Sequence, residues 1–368
     1  MTFDASRLAN PATAALRAYD PGHDLPLLRQ RFGAVIAELG SNENPLGPSP
    51  LALEAMRSAL DSAWRYPDPR GASLKAALAR SLVVDDERIV LGNGSHELLM
   101  LLAQCFADPA HSVVYSQYGF AVFPIATAAA GARAIQVPAL PRDDEQAPLG
   151  HDLDAIAAAV QADTRLVFLA NPNNPTGTWF ADAALERLLA RVGDDVLVVV
   201  DEAYREYVDA AGPHSALRLA DRHPNLVVTR TFSKAHALAG LRVGYLVADR
   251  SVAAVLERLR ESFNVNSIAL AGAEAALGDT AHLERVRAWN AAERDWLRGE
   301  LARRGLASLP SQTNFLLVDP GRDAAALERH WYEQGVIVRP MGGYGLGHLL
   351  RISVGSRGEN RRLLDALA

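Results

Sequence analysis

Between residues 88 and 250, short apolar, β-rich runs alternate with longer alanine- and leucine-rich stretches: RIVLG, SVVYS, RAIQVP, RLVFLA, DVLVVVDE, NLVVTRT and RVGYLVA. This alternation predicts an α/β fold in which successive strands are joined by helical crossovers. The runs VFLA and VLVVV are continuous rather than alternating, which is the pattern of central strands covered on both faces of a largely parallel sheet. In such sheets the residues that bind ligands gather at strand ends and in the loops that follow.

Beyond residue 255 the texture changes to charged, helical-period sequence (AHLERVRAWNAAERDWLRGELARRG), followed by the β-like runs TNFLLVD, GVIVRPM and LLRISVG. That order predicts a smaller α+β domain. The first 45 residues are proline-rich and weakly periodic, as in an arm lying on something else. The expected division is therefore an arm with part of the small domain over 1–45, a large α/β domain over 46–255 and a small C-terminal α+β domain over 256–368. A chain of 368 residues is long enough for two such cores.

Composition narrows the function classes. The net charge of -6 gives no basic face for a nucleic-acid backbone. The single cysteine, Cys105, excludes an internal disulfide framework and a multi-cysteine metal site, so no metal is expected and a reducing cytoplasm fits best. The first residues, MTFDASRLANPAT, lack the basic and apolar regions of a secretory signal, and no run approaches membrane-spanning length.

Four stretches at predicted strand ends could carry chemistry. In GNGSHELL (92–99) two glycines turn the chain and Ser95 is expected to cap an apolar helix whose first amides face outward, an anion site if it is more than a turn. A third glycine and a P-loop lysine are both missing, which excludes the two common nucleotide fingerprints. NPNNPTG (171–177) is a rigid turn by composition, and one of its side-chain amides could also donate to a ligand oxygen. In VVVDEAY (198–204), Asp201 closes a buried strand and needs a partner, either a cationic ring nitrogen or a structural arginine. In TRTFSKAHALAGLRVGY (229–245), Lys234 sits in apolar surroundings that lower an amine's pKa and make it a usable nucleophile toward a carbonyl. Alone it would read as a surface lysine. Beside Thr231, Ser233 and Arg242, which are phosphate-type ligands, it suggests a pocket. Together the four stretches supply an aldehyde-reactive lysine, an acid for a pyridinium nitrogen, donors for a phenolic oxygen and a phosphate cup, which are the needs of pyridoxal phosphate.

The motifs YDPG (19–22), SNENPLGPSP (41–50), RYPDP (65–69), GNGSHELL, YSQYGF, NPNNPTG, DEAY, TFSKAHALAGLRVGY, TNF, IVRPM and RISVG run through nearly the whole chain. In this it resembles the fold-type I, aspartate-aminotransferase-like enzymes that use pyridoxal phosphate, and among them the histidinol-phosphate aminotransferases. The resemblance implies a large mixed, mostly parallel sheet domain with a smaller α+β domain. It further implies that Lys234 binds the cofactor covalently and moves the substrate proton, that Asp201 keeps the pyridine nitrogen protonated, that Asn174 and Tyr204 bond the phenolic oxygen, and that Tyr118 stacks on the ring. The phosphate would be held by Ser95 and His96 backbone amides, Thr231, Ser233, Arg242 and, from the partner subunit of a homodimer, Tyr66. Arg351 would clamp the α-carboxylate of glutamate, and Arg339, Tyr19 and Asn44 would bind substrate; for Arg339 a plain ion pair at a domain boundary is the alternative.

The implied reaction is histidinol phosphate plus 2-oxoglutarate giving imidazole-acetol phosphate plus glutamate, a step of histidine biosynthesis. Aromatic amino acid transamination and threonine-phosphate decarboxylation are the enzymatic alternatives on the same scaffold. A ligand-sensing regulator would need a DNA-binding module that the first 45 residues do not supply. Two departures from the family pattern stand out: His96 replaces an acidic or amide residue, and HALAG replaces an aromatic-glycine pair.

Overall fold

A computed structural model describes residues 4–5, 8–14, 16, 24–33, 36–209 and 212–367. The seven apolar runs form one seven-stranded sheet. The strands are β2 (Ile89–Gly92), β3 (Ser112–Ser116), β4 (Arg133–Val137), β5 (Thr164–Ala170), β6 (Leu197–Asp201), β7 (Leu226–Thr231) and β8 (Gly244–Val247), with β1 (Ala37–Glu38) lying outside this sheet. Their spatial order is β2-β8-β7-β6-β5-β3-β4. The run from β7 to β4 is parallel, and β8 alone is antiparallel to both neighbours. Since β8 reverses direction twice, β2 again points the way of β7. The carboxyl ends of β2, β5, β6 and β7 therefore share one edge of the sheet.

The continuous runs are buried on both faces. In β5, Leu166 and Phe168 pack with Leu98, Leu99 and Leu102 of the helix Ser95–Phe106, whereas Val167 and Leu169 pack with Leu185, Leu188 and Leu189 of the helix Asp182–Val192. Each such side chain contributes about 1.5–3 kcal/mol when removed from water, an upper figure because unfolded chains already bury some of it. The edge strand β4 is different, its Arg133, Ala134 and Gln136 being exposed. Polar exposure at an edge discourages pairing with another chain.

The C-terminal runs form β9 (Ala307–Ser308), β10 (Phe315–Asp319), β11 (Val336–Ile337), β12 (Arg339–Pro340) and β13 (Leu350–Ser353). Four of them make a sheet in the order β12-β13-β10-β9, and β11 pairs in parallel with β1, so residues 37–38 lie beside 336–337. The charged stretch is the helix Thr280–Arg303, capped by Asp279, whose side chain accepts from His282 N. The residue-255 boundary expected from texture falls inside the helix Arg250–Leu259, and the next helix, Ser267–Gly278, packs on Pro50–Leu60 near β2 and β8. Apolar packing continues across the change of texture because the alanine-rich face of that helix fits against Met56 and Leu241 around Gly272.

Candidate active site

The four stretches meet at the shared sheet edge, around a cavity of about 270 Å³. Ser95 and His96 begin the helix after β2, Asn174 lies in the turn after β5, Asp201 ends β6, Thr231 ends β7, and Ser233 and Lys234 follow it; all line the cavity, with Tyr204 and Arg242. Arg339 and Arg351 reach it from the four-stranded sheet.

The floor is the carboxylate of Asp201. It is 3% exposed and accepts from Thr229 Oγ1 at 2.8 Å. Burial pushes its pKa up to about 7, with the neighbouring Glu202 adding to the rise and the Thr229 bond and Lys234 opposing it. A buried acid held that high favours a cationic partner, which would restore its charge. Glu202 is not that partner's rival, because Arg230 grips its Oε2 from Nε at 3.0 Å and Nη2 at 2.8 Å.

Lys234 Nζ donates to the Ser41 carbonyl at 3.1 Å and lies 5.9 Å from the Tyr204 ring centroid. Its side chain opens on the cavity but is otherwise surrounded by protein, and this desolvation, with Arg351 and Arg242 nearby, lowers its pKa to about 8. Near neutral pH a usable fraction of the amine is therefore unprotonated.

At one end a cup is built from small parts. Thr231 Oγ1 donates to Ser233 Oγ at 2.9 Å and Arg242 Nη1 donates to the same oxygen at 3.3 Å. Arg242 has φ 56, a left-handed conformation that costs a non-glycine residue of order 1 kcal/mol or more. Ser95 does not cap the helix as expected: Gly94, at φ 88, is the N-cap residue and makes no side-chain bond. The first amides thus stay open to an anion. A Cβ at Gly94 would come 2.5 Å from Arg242 Nη2, and one at Gly244 would come 2.6 Å from Ser95 N, so both glycines let the guanidinium and the helix start close on one point. His96, second in the helix, has its pKa lowered by burial and by Arg242.

At the other end Arg351 donates from Nη1 to Asn174 Oδ1 at 2.7 Å and from Nη2 to the Gly40 carbonyl at 2.6 Å. The first bond fixes which end of the Asn174 amide is oxygen and leaves its Nδ2 as a donor. Arg339 lies directly opposite Arg351 in the β12–β13 ladder.

Several expected residues stand elsewhere. Tyr118 packs beside Leu149, Leu309 and Met341, whereas Phe120, two residues on, lines the cavity. Asn44 is a turn residue: its Nδ2 donates to the Ala235 carbonyl at 2.8 Å and its Oδ1 accepts from Leu46 N, both away from the lining. Two positions earlier, Asn42 does line the cavity, at φ 56, and donates to Tyr204 OH at 2.9 Å. Tyr66 is 82% exposed and stacks on Phe263 at 4.7 Å, outside this cavity. Tyr19 lies outside the described residues. The reasoning from sequence missed Gly40, Ser41, Asn42 and Phe120; the signal available was the asparagine-rich SNEN run, since asparagine tolerates left-handed backbone.

The residues present fit pyridoxal phosphate: an anion cup, an amine of lowered pKa and a buried acid with room for a cation line one cavity. Fold and site define an aminotransferase-like enzyme of fold type I. The chain belongs to the aminotransferase class I and II family, whose model matches residues 34–367. It is 47% identical to histidinol-phosphate aminotransferase 2 of Pseudomonas aeruginosa, over 99% of this chain and 98% of that protein. It is 48% identical to histidinol-phosphate aminotransferase 1 of Thiobacillus denitrificans, over 98% of this chain and 92% of that one. Among solved structures it resembles the histidinol-phosphate aminotransferase from Sinorhizobium meliloti in complex with pyridoxal-5'-phosphate, with a TM-score of 0.87 and 33% identity over 98% of this chain and 96% of that one.

Proposed function

We propose that this chain is a pyridoxal-phosphate-dependent aminotransferase that exchanges the amino group between histidinol phosphate and 2-oxoglutarate, a step of histidine biosynthesis. The observation that carries the reaction class is the convergence of Lys234, Asp201 and the Gly94–Arg242 cup on one cavity. Bound there, the cofactor supplies an aldehyde for amines and a ring that accepts the electrons released at Cα. Asp201 would hold a proton on the ring nitrogen, since a cation beside a buried carboxylate favours its charged form. Lys234 Nζ binds the cofactor and moves the proton at the substrate Cα. Asn174 and Tyr204 would donate to the ring oxygen, while Thr231, Ser233, Arg242 and the amides of Ser95 and His96 would hold the phosphate. Phe120, which lines the cavity, would border the ring.

Arg351 and Arg339 support the choice of substrate. Two guanidinium groups placed opposite each other repel, and an anion between them removes that cost. The phosphate of histidinol phosphate and the carboxylates of 2-oxoglutarate both meet this requirement, whereas phenylalanine brings a single carboxylate. Exposed Tyr66 suits a homodimer in which it reaches the phosphate of the other subunit. We take the large domain to continue through Ser267–Gly278 and the small one to comprise β1 with the elements from Thr280 onward. A cytoplasmic location fits a biosynthetic enzyme, and no described helix is long and apolar enough to cross a membrane.

The test is kcat/KM for histidinol phosphate against phenylalanine, with 2-oxoglutarate as acceptor. An advantage of roughly 100-fold or more for the phosphorylated substrate is expected, because an analogue lacking the phosphate leaves the repulsion between the two facing guanidinium groups in place. Equal values would favour aromatic transamination, and carbon dioxide release without an oxo-acid acceptor would favour decarboxylation.

A further inference from the structure

Glu38 ends β1 and is not among the residues lining the cavity, yet it organises two that are. Its Oε1 accepts from Gly40 N at 3.0 Å and from Ser41 Oγ at 3.2 Å. The turn so formed sends its next two carbonyls toward the cavity: Gly40 O accepts from Arg351 at 2.6 Å, and Ser41 O accepts from Lys234 Nζ at 3.1 Å. One carboxyl oxygen therefore shapes the short segment that touches both the anion-binding arginine and the reactive lysine.

The turn is pinned on each side of that segment. Leu39 N donates to Ile337 O and Ser353 N to Leu39 O, both at 2.7 Å, and Asn42 N donates to Ser353 Oγ at 2.8 Å. A Cβ on Gly40 would come 3.1 Å from Glu38 Oε1, so the turn wraps closely around the carboxyl. The second oxygen, Oε2, is buried with no hydrogen-bond partner among the described residues, and burial raises the acid's pKa. A residue needed only to end a strand would be better apolar here, because an unpartnered buried oxygen is unfavourable. The acceptor oxygen is the feature an apolar side chain could not supply.

We propose that Glu38 is a positioning residue of the active site: by holding Gly40 N–H and the Ser41 hydroxyl it sets where the Gly40 and Ser41 carbonyls orient Arg351 and Lys234, and thereby sets the affinity for the substrate anion. This rests on the reading of Arg351 as an anion clamp.

Four variants of the cofactor-loaded protein test it: Glu38→Gln, Glu38→Leu, Ser41→Ala, and Glu38→Leu with Ser41→Ala. The readouts are KM and kcat for 2-oxoglutarate, calorimetric affinity for glutarate as a non-reacting dicarboxylate, and the thermal midpoint. Glu38→Leu is expected to raise KM and weaken glutarate roughly five- to tenfold, the effect of losing one or two hydrogen bonds, with kcat changed less and the thermal midpoint held. Glu38→Gln keeps an acceptor oxygen and should rescue most of that loss. Ser41→Ala should shift KM the same way by about twofold, and the double variant should be no worse than Glu38→Leu, because both act through the same bonds. Unchanged KM and glutarate affinity in Glu38→Leu, no rescue by glutamine, or an additive double variant would each overturn the proposal. Should Glu38→Leu fail to fold, Glu38→Gln and Ser41→Ala decide: a Ser41→Ala chain with wild-type glutarate affinity overturns it. A wild-type chain without transaminase activity overturns the functional reading and this inference together, whereas an active wild-type with unaffected variants overturns this inference alone.

Discussion

The two ends of the cavity are built in opposite ways. The cup end draws on strand ends of a single sheet, and Thr231, Ser233, Lys234 and Arg242 come from one continuous stretch. The arginine end is assembled across the molecule: Arg351 meets partners 177 and 311 positions away, and Lys234 reaches a carbonyl 193 positions away. A local cluster keeps its geometry as long as its sheet is folded. A cluster of distant parts depends on how two sheets meet, so the cofactor end and the substrate end should respond independently to substitution.

The largest effect is expected where the ends share an atom. Lys234→Ala should lower turnover by roughly 10²–10⁴-fold or more and abolish the visible absorption of the bound cofactor. Retention of near-wild-type turnover would sink the functional reading. Arg351→Lys should act on one end only, since an ammonium cannot reproduce two directed bonds to Asn174 and to a ligand. About a 10- to 100-fold rise in KM for 2-oxoglutarate is expected with the cofactor spectrum intact; a loss of cofactor binding would break the comparison. Gly94→Ala is the mirror experiment. Its φ of 88 and the 2.5 Å approach to Arg242 predict roughly tenfold weaker cofactor binding, measured by equilibrium titration, with KM for 2-oxoglutarate little changed.

The smallest effect concerns stability. The Asp201 pKa is raised in the fold to about 7 from the ordinary carboxylate value of 3.8, so its ionisation disfavours the folded state. That penalty is absent below about pH 4, grows between there and pH 7, and is fully present above. In the cofactor-free protein Asp201→Asn should therefore raise the thermal midpoint by a few degrees at pH 8 and leave it unchanged at pH 4. Cofactor binding should shrink the difference, because the ring cation pairs with the carboxylate.

Legibility in the sequence followed the same division. All seven apolar runs are strands of one sheet, Asp201 ends its strand and Lys234 follows closely after β7, because hydrophobic period and turn chemistry are local signals. Asn42 lines the cavity and Asn44 does not, although both sit in SNEN. What separates them is backbone handedness and a hydroxyl 311 positions away, the Ser353 partner, and neither is written in nearby residues. The expected serine cap at Ser95 failed for a related reason: glycine in the N-cap place frees the very amides a serine oxygen would have occupied. Charge texture changes at residue 255, whereas the helix Ser267–Gly278 is placed by alanine and glycine allowing close approach.

The pairing of β1 with β11 also has a consequence for how the enzyme comes into being. A nascent chain that has released residue 247 already holds every residue of the cup, from Ser95 to Arg242, together with the strand β8 that joins β2 to β7. Residues 37–38 must wait for 336–337, and Gly40 must wait for Arg351. At ribosomal speeds of about 5–20 residues per second, the intervening hundred or so residues take on the order of 5–20 s. Over that interval the emerging chain carries the residues of the anion cup but not yet the Arg351 end of the cavity.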